Sequence, residues 1–165
     1  MSETSELLER FRRGPELMAV VLTGLGVEEQ DFLSGPDKWS IRQIVAHVAD
    51  TEVVAAHRLR QVIAEPNPTL VAFDQEAWAR NLDYARRKPA ASLDTFRRTR
   101  AENYELVREL PEPVFERTGN HTVRGPVTLR SLIELFADHS EKHARQVQAI
   151  RDLYKQQRAG RGANI

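Results

Sequence analysis

The sequence predicts an all-α protein, a four-helix bundle with long ordered connections. Three observations carry this: four long segments with apolar residues at helical spacing, proline or glycine breaks between them, and long links between the second and third and the third and fourth segments. The chain of 165 residues is sized for one domain with a core of its own. It is read as a single domain over residues 1–155, with a flexible, polar, glycine-rich tail over 156–165.

The first helix is expected over residues 3–23, where Leu7, Leu8, Phe11, Leu17, Met18, Val21 and Leu22 share one face. Gly14-Pro15 interrupts it, and Pro15 either starts the main helix or kinks it, because proline lacks the amide and crowds the preceding turn. Val27–Leu33 has room for one short turn. The second helix begins at Ser40, where Ser40 and Gln43 form a capping box and Trp39 and Ile44 have the spacing of a hydrophobic staple. Its stripe runs through Ile41, Ile44, Val45, Val48, Ala55, Leu59 and Val62 until Pro66 and Pro68 end it.

Residues 66–91 read as an ordered connection with a short helix over Asp74–Arg80. Phe73, Trp78 and Tyr84 give it side chains to pack with, either over a functional pocket or at a bundle end. A third helix starts at Ser92 and stops at Pro111. Residues 114–127 form a short hairpin or an extended loop, and a fourth helix runs from the Thr128 cap to about Tyr154.

Lys plus Arg and Asp plus Glu both number 24, and no basic block stands out, so the composition speaks against a nucleic-acid partner. The chain has no cysteine, which removes disulfides, thiolate metal ligands and a protein thiol nucleophile. The start lacks a secretory pattern and no apolar run approaches membrane-spanning length, so a cytoplasmic location with no membrane partner is expected.

The chemistry-bearing residues are the five histidines. His139 and His143 are four apart, about 40° around a helix axis and roughly 6 Å apart at Cβ, so both can reach one cation. They share a face with Leu132, Leu135, Phe136, Val147 and Ile150 and are expected to point inward. Two unpaired imidazoles in an apolar interior would be costly, and a shared cation relieves that cost. The alternative is a pair of ordinary hydrogen-bonded core histidines. His47, on the edge of the second helix's stripe, is the candidate third ligand. Three neutral imidazoles leave a divalent ion with open positions, so that it can acidify a water or bind a thiolate. His57 is expected at the surface; His121 lies in a loop beside Arg124, where exposure to solvent is the favoured reading and lining of a pocket the alternative.

The segment D-K-W-S-I-R-Q-I-V-A-H-V-A-D-T-E at 37–52, the connection E-P-N-P-T-L-V-A-F-D-Q-E-A-W-A at 65–79 and D-H-S-E-K-H-A at 138–144 occur in that order. Together they resemble the DinB/YfiT-like family of bacterial four-helix bundles. The resemblance implies an up-down-down-up arrangement, a divalent-metal site at His47, His139 and His143, and a homodimer. It also implies a metal-dependent enzyme acting on a small molecule, by transfer of a low-molecular-weight thiol to an electrophile or by hydrolysis. The rival reading is a non-catalytic dimeric bundle that binds metal or ligand. Zinc or nickel leads as the ion, with iron or manganese also compatible with imidazole. Asp50, Thr51 and Trp78 are the candidates for supporting the ligands or walling the pocket; Glu52, Asp138 and Glu141 are expected to be exposed carboxylates. No general base is assigned.

Overall fold

The computed structural model describes residues 2–162. Five α-helices follow in order: α1 (Glu3–Leu22), α2 (Ile41–Ala64), α3 (Gln75–Asn81), α4 (Pro89–Val107) and α5 (Leu129–Gly162). Three short strands, β1 (Thr69–Leu70), β2 (Thr118–His121) and β3 (Gly125–Thr128), form a small sheet in the order β1-β2-β3. The bundle is built from α1, α2, α4 and α5, while α3 belongs to the connection.

Side-chain pairings fix the helix directions. Thr4 meets Arg130, Arg10 meets Glu141 and the Val21 carbonyl meets Arg151, so α1 and α5 run parallel. Arg42 reaches the Arg87 carbonyl, Glu52 meets Arg100 and Arg60 meets Asn103, so α2 and α4 are parallel too. The two pairs oppose one another: His47 meets His139, whereas Leu59 and Val62, further along α2, cluster with Leu129 and Leu132 at the start of α5. The result is up-down-down-up. Parallel α2 and α4 demand a return path. Since α2 has 24 residues and is about 36 Å long, residues 65–88 must travel back along the bundle. That is why the connection is long.

Local signals explain most boundaries. Ser40 Oγ accepts from the Gln43 amide while Gln43 Oε1 accepts from the Ser40 amide, completing the capping box. Asp74 caps α3 through the Ala77 amide. Helix α4 starts at Pro89, three residues before the expected Ser92, because proline is suited to the first helical position, where no amide is needed. Thr128 and Ser131 bond each other's amides at the start of α5. That helix continues through Gly162, into the segment expected as a tail; residues 163–165 of that segment lie outside the described residues. The hairpin alternative for 114–127 is the one observed, with Gly125 at φ 76° turning the chain where a side chain would be strained.

Pro15 neither starts nor ends a helix; α1 runs through it. The missing amide leaves the Phe11 carbonyl without its helical partner. The Arg100 guanidinium, arriving from α4, donates to that carbonyl instead. Gly14 permits the approach, because a Cβ there would lie 2.7 Å from both Arg100 Nη1 and Ser140 Oγ.

Arg100 is 2% exposed, and so is its partner Glu52, which it grips at 2.9 and 2.6 Å. It also donates to the Phe136 carbonyl at 3.2 Å and stacks over Phe11 and Phe96. Asn103 gives Glu52 a further bond of 2.7 Å. One guanidinium thus touches all four bundle helices. This polar layer separates two apolar clusters, one around Leu7, Leu59, Leu132 and Phe136 and one around Met18, Ile44, Val48 and Val147. Glu52, expected at the surface, is therefore buried: it follows Val48 by four and precedes Ala55 by three, squarely on the apolar stripe.

Candidate metal centre

The histidine cluster sits beside the polar layer, where α2 and α5 face each other. His47 Nε2 lies 2.9 Å from His139 Nε2. The rings of His139 and His143 are 4.4 Å apart between centroids, and those of His47 and His143 5.0 Å. One nitrogen from each of the three residues lies within 4.8 Å of the others. His47 is buried, while His139 and His143 are partly open.

Contacts on the far side of two of the rings orient their lone pairs. Gln146 Oε1 accepts from His143 Nδ1 at 2.8 Å, which leaves Nε2 of His143 without a proton. His47 Nδ1 stands 3.5 Å from Thr51 Oγ1, and the Trp39 ring packs edge-on against the His47 imidazole. Burial, and then the neighbouring His143, lower the pKa of His47 to about 3. Burial, with charge on His143, His47 and Arg100, lowers His139 to about 2. Burial lowers His143 as well, opposed by its bond to Gln146. All three are neutral at physiological pH, the form in which imidazole binds metal.

Three imidazole nitrogens within 4.8 Å of one another form a donor set that could hold a metal ion. Of the three histidines, His139 lines a cleft of about 290 Å³ whose walls also include Thr51, Arg58, Phe73, His121 and Arg124.

The other sequence candidates divide. Thr51 lines the cleft and faces His47. Asp50 turns away: both its carboxylate oxygens accept from Arg87 at 2.8 and 2.9 Å, and its neighbour is Tyr84, whose hydroxyl burial and then Asp50 keep protonated. Trp78 packs with Phe73, Ala46 and Tyr84 and borders an adjacent cleft; Phe73 is the aromatic that reaches the histidine side. Asp138 and Glu141 both pair with Arg10 on the outer face. His57 is exposed as expected. His121 is not in an open loop: it is 6% exposed on β2, opposite Leu70 of β1. The parallel pairing of β1 with β2 buries it, and the two strands lie some fifty residues apart in the chain, so no local pattern announced it. Arg58 was passed over in the sequence, although it follows Thr51 by seven and so shares its helix face.

The comparisons bear on this arrangement. The model of the DinB superfamily matches residues 10–147. A protein of Oceanobacillus iheyensis with the provisional description metal-dependent hydrolase is 27% identical over 146 residues, covering 88% of this chain and 84% of its own. One from Geobacillus kaustophilus with the same description is 27% identical over 150 residues, covering 90% and 84%. Among solved structures, YfiT from Bacillus subtilis, described as a probable metal-dependent hydrolase with an unusual four-helix bundle topology, superposes with a TM-score of 0.87. It covers 94% of this chain and 90% of its own at 20% identity, which speaks for the fold. A family match across most of the length, together with the shared bundle, means that the chain belongs to the DinB superfamily.

Proposed function

We propose that this protein is a metal-dependent hydrolase of small molecules, with one divalent ion held by His47, His139 and His143. The observation that carries the reading is the convergence of three neutral imidazoles, one of which, His139, lines a cleft. The description shared by the relatives favours hydrolysis over thiol transfer. A bound divalent ion supplies Lewis acidity, acidifying a water and polarising a carbonyl or phosphoryl oxygen. The chain's own residues do the rest. Gln146 and Thr51 orient two of the rings, Trp39 packs against His47, and Phe73 gives the cleft an aromatic wall.

Zinc or nickel is the ion we assign, and a cytoplasmic homodimer the working form. Transfer of a low-molecular-weight thiol remains the second reaction, because the same open positions would accept a thiolate. The test is elemental analysis of untagged protein beside the His139→Ala/His143→Ala variant, followed by a panel of esters, amides, phosphoesters and thiol–electrophile pairs. About one ion per chain, lost in the variant with helicity intact, supports the site; hydrolytic turnover that disappears with the ion supports the reaction. No metal after incubation with zinc or nickel would sink the reading.

A further inference from the structure

Three arginines are buried among the described residues, and two of them have a buried glutamate. Arg100 is paired with Glu52, and Arg151 with Glu29 at 2.7 Å. Arg58, 6% exposed, has no carboxylate within ion-pair distance among the described residues; its acceptor is the Val71 carbonyl at 2.8 Å. Guanidinium does not give up its proton at ordinary pH, so a buried one without a counter-charge is costly to keep. Burial and the nearby Arg124 both act against the charge on Arg58.

The surroundings say what that charge faces. Arg58 follows His47 by eleven residues, within about 20° of the same helix register, and side chains lean toward a helix N-terminus, here toward the histidines. It lines the cleft that His139 also lines. His121, on the opposite wall, accepts the amides of Val123 and Arg124 at its Nδ1, at 3.2 and 3.3 Å. Its proton is therefore on Nε2, a donor with a fixed direction. Arg124 stands in the β2–β3 turn at the rim, exposed and without an acidic partner among the described residues. No aspartate or glutamate lines this cleft. Two arginines and an N–H donor in a concave, low-dielectric wall concentrate positive potential where a ligand would enter.

We propose that this cleft binds an oxyanion, a carboxylate or phosphate, carried by the substrate, with Arg58 and Arg124 as counter-charges and His121 as an N–H donor. The substrate class is then a small organic anion whose charged end lies in the cleft and whose reacting end lies at the histidines. The second half of that statement rests on the metal-centre reading; recognition of the anion does not.

Calorimetric titration of the full-length protein after chelator treatment tests it, with succinate, inorganic phosphate and the neutral succinamide as probes. At least one anion binds, and the amide binds about tenfold more weakly or worse, the scale expected for losing a charged hydrogen-bond partner. The anion that binds more tightly identifies the group as carboxylate or phosphate. Arg124→Gln, at an exposed turn, weakens anion binding about tenfold with an unchanged melting temperature. Arg58→Gln weakens it at least as much, yet leaves the melting temperature equal or higher, because the replaced charge had no counter-charge. His143→Ala, outside the cleft's lining, keeps the anion site. No binding of either anion, equal binding of succinamide, or an unaltered Kd in Arg124→Gln would each overturn the proposal. Failure of the wild type to load metal would instead strike the metal-centre reading and leave these titrations unaffected.

Discussion

Replacing Arg100 by methionine keeps much of its length and removes its charge. Two groups lose their partner. Glu52, 2% exposed, retains only the 2.7 Å bond from Asn103, and the Phe11 carbonyl has no donor at all because residue 15 is proline. Removing one member of a buried ion pair costs about 3–5 kcal/mol. An orphaned carbonyl costs about 1–3 kcal/mol. The methionine side chain recovers some apolar contact, so the lower end of that sum, about 4 kcal/mol, is expected, or roughly 8–16 °C in Tm for a chain of this size. Urea unfolding followed by far-UV circular dichroism at neutral pH measures it. Two companion variants make the reasoning specific. Glu52→Met/Arg100→Met removes both charges and is expected to cost about 1–2 kcal/mol, less than Arg100→Met alone. Pro15→Ala returns an amide to α1, and its gain should be larger in the Arg100→Met background than in the wild type, where Arg100 already serves the carbonyl. An Arg100→Met protein within about 1 kcal/mol of wild type, or a double variant as damaged as the two singles summed, would refute this account of the layer.

Metal-free protein should lose stability as pH falls below about 6.5, because the unfolded chain takes up protons on histidines that the fold holds neutral at about 3 and 2. Urea midpoints measured from pH 8 down to pH 5 should fall in the wild type and flatten in His47→Gln/His139→Gln; parallel slopes would count against it. Saturating zinc or nickel should raise the melting temperature, by about 2.7 kcal/mol of stability when free ion stands at a hundred times Kd, and His143→Ala should lose most of that gain in a thermal scan. Gly14→Ala places a carbon 2.7 Å from Arg100 and Ser140 and should cost about 1–3 kcal/mol by the same urea assay, despite alanine's better helix propensity. Ser40→Ala opens the capping box and should cost about 1 kcal/mol.

Where a structural cause lies within one turn or one strand, the sequence disclosed it. The Ser40–Gln43 box marks the start of α2, and the His139–His143 spacing places two imidazoles on one face. His47 was harder, since its meeting with His139 spans 92 positions; it was reached through its place on the stripe and through the family resemblance. Glu52 was readable and misread: a carboxylate in the middle of an apolar stripe implies a buried partner, although nothing local names Arg100 as that partner. Gly14-Pro15 looked like a break because proline disrupts a helix unless another group satisfies the freed carbonyl, and that group comes from α4. His121 and Arg58 gain their surroundings from the β1–β2 pairing, where parallel strands meet through a long crossover. The cleft was therefore less legible than the histidine cluster.

The up-down-down-up order also bears on how the chain reaches its fold. In a bundle of successive antiparallel hairpins, each helix can dock on the one made just before it, and the contacts are mostly local. Here α1 and α2 stand across the diagonal, as do α4 and α5, while α1 packs lengthwise on α5, the last helix of the chain. No two consecutive bundle helices other than α2 and α4 form a neighbouring pair, and those two are separated by the whole return path. Loop closure must come before the contacts that reward it, so the fold carries a high contact order for an all-helical protein. Its refolding rate should resemble that of mixed α/β domains, and during synthesis α1 has to wait for the last helix before it gains its principal partner.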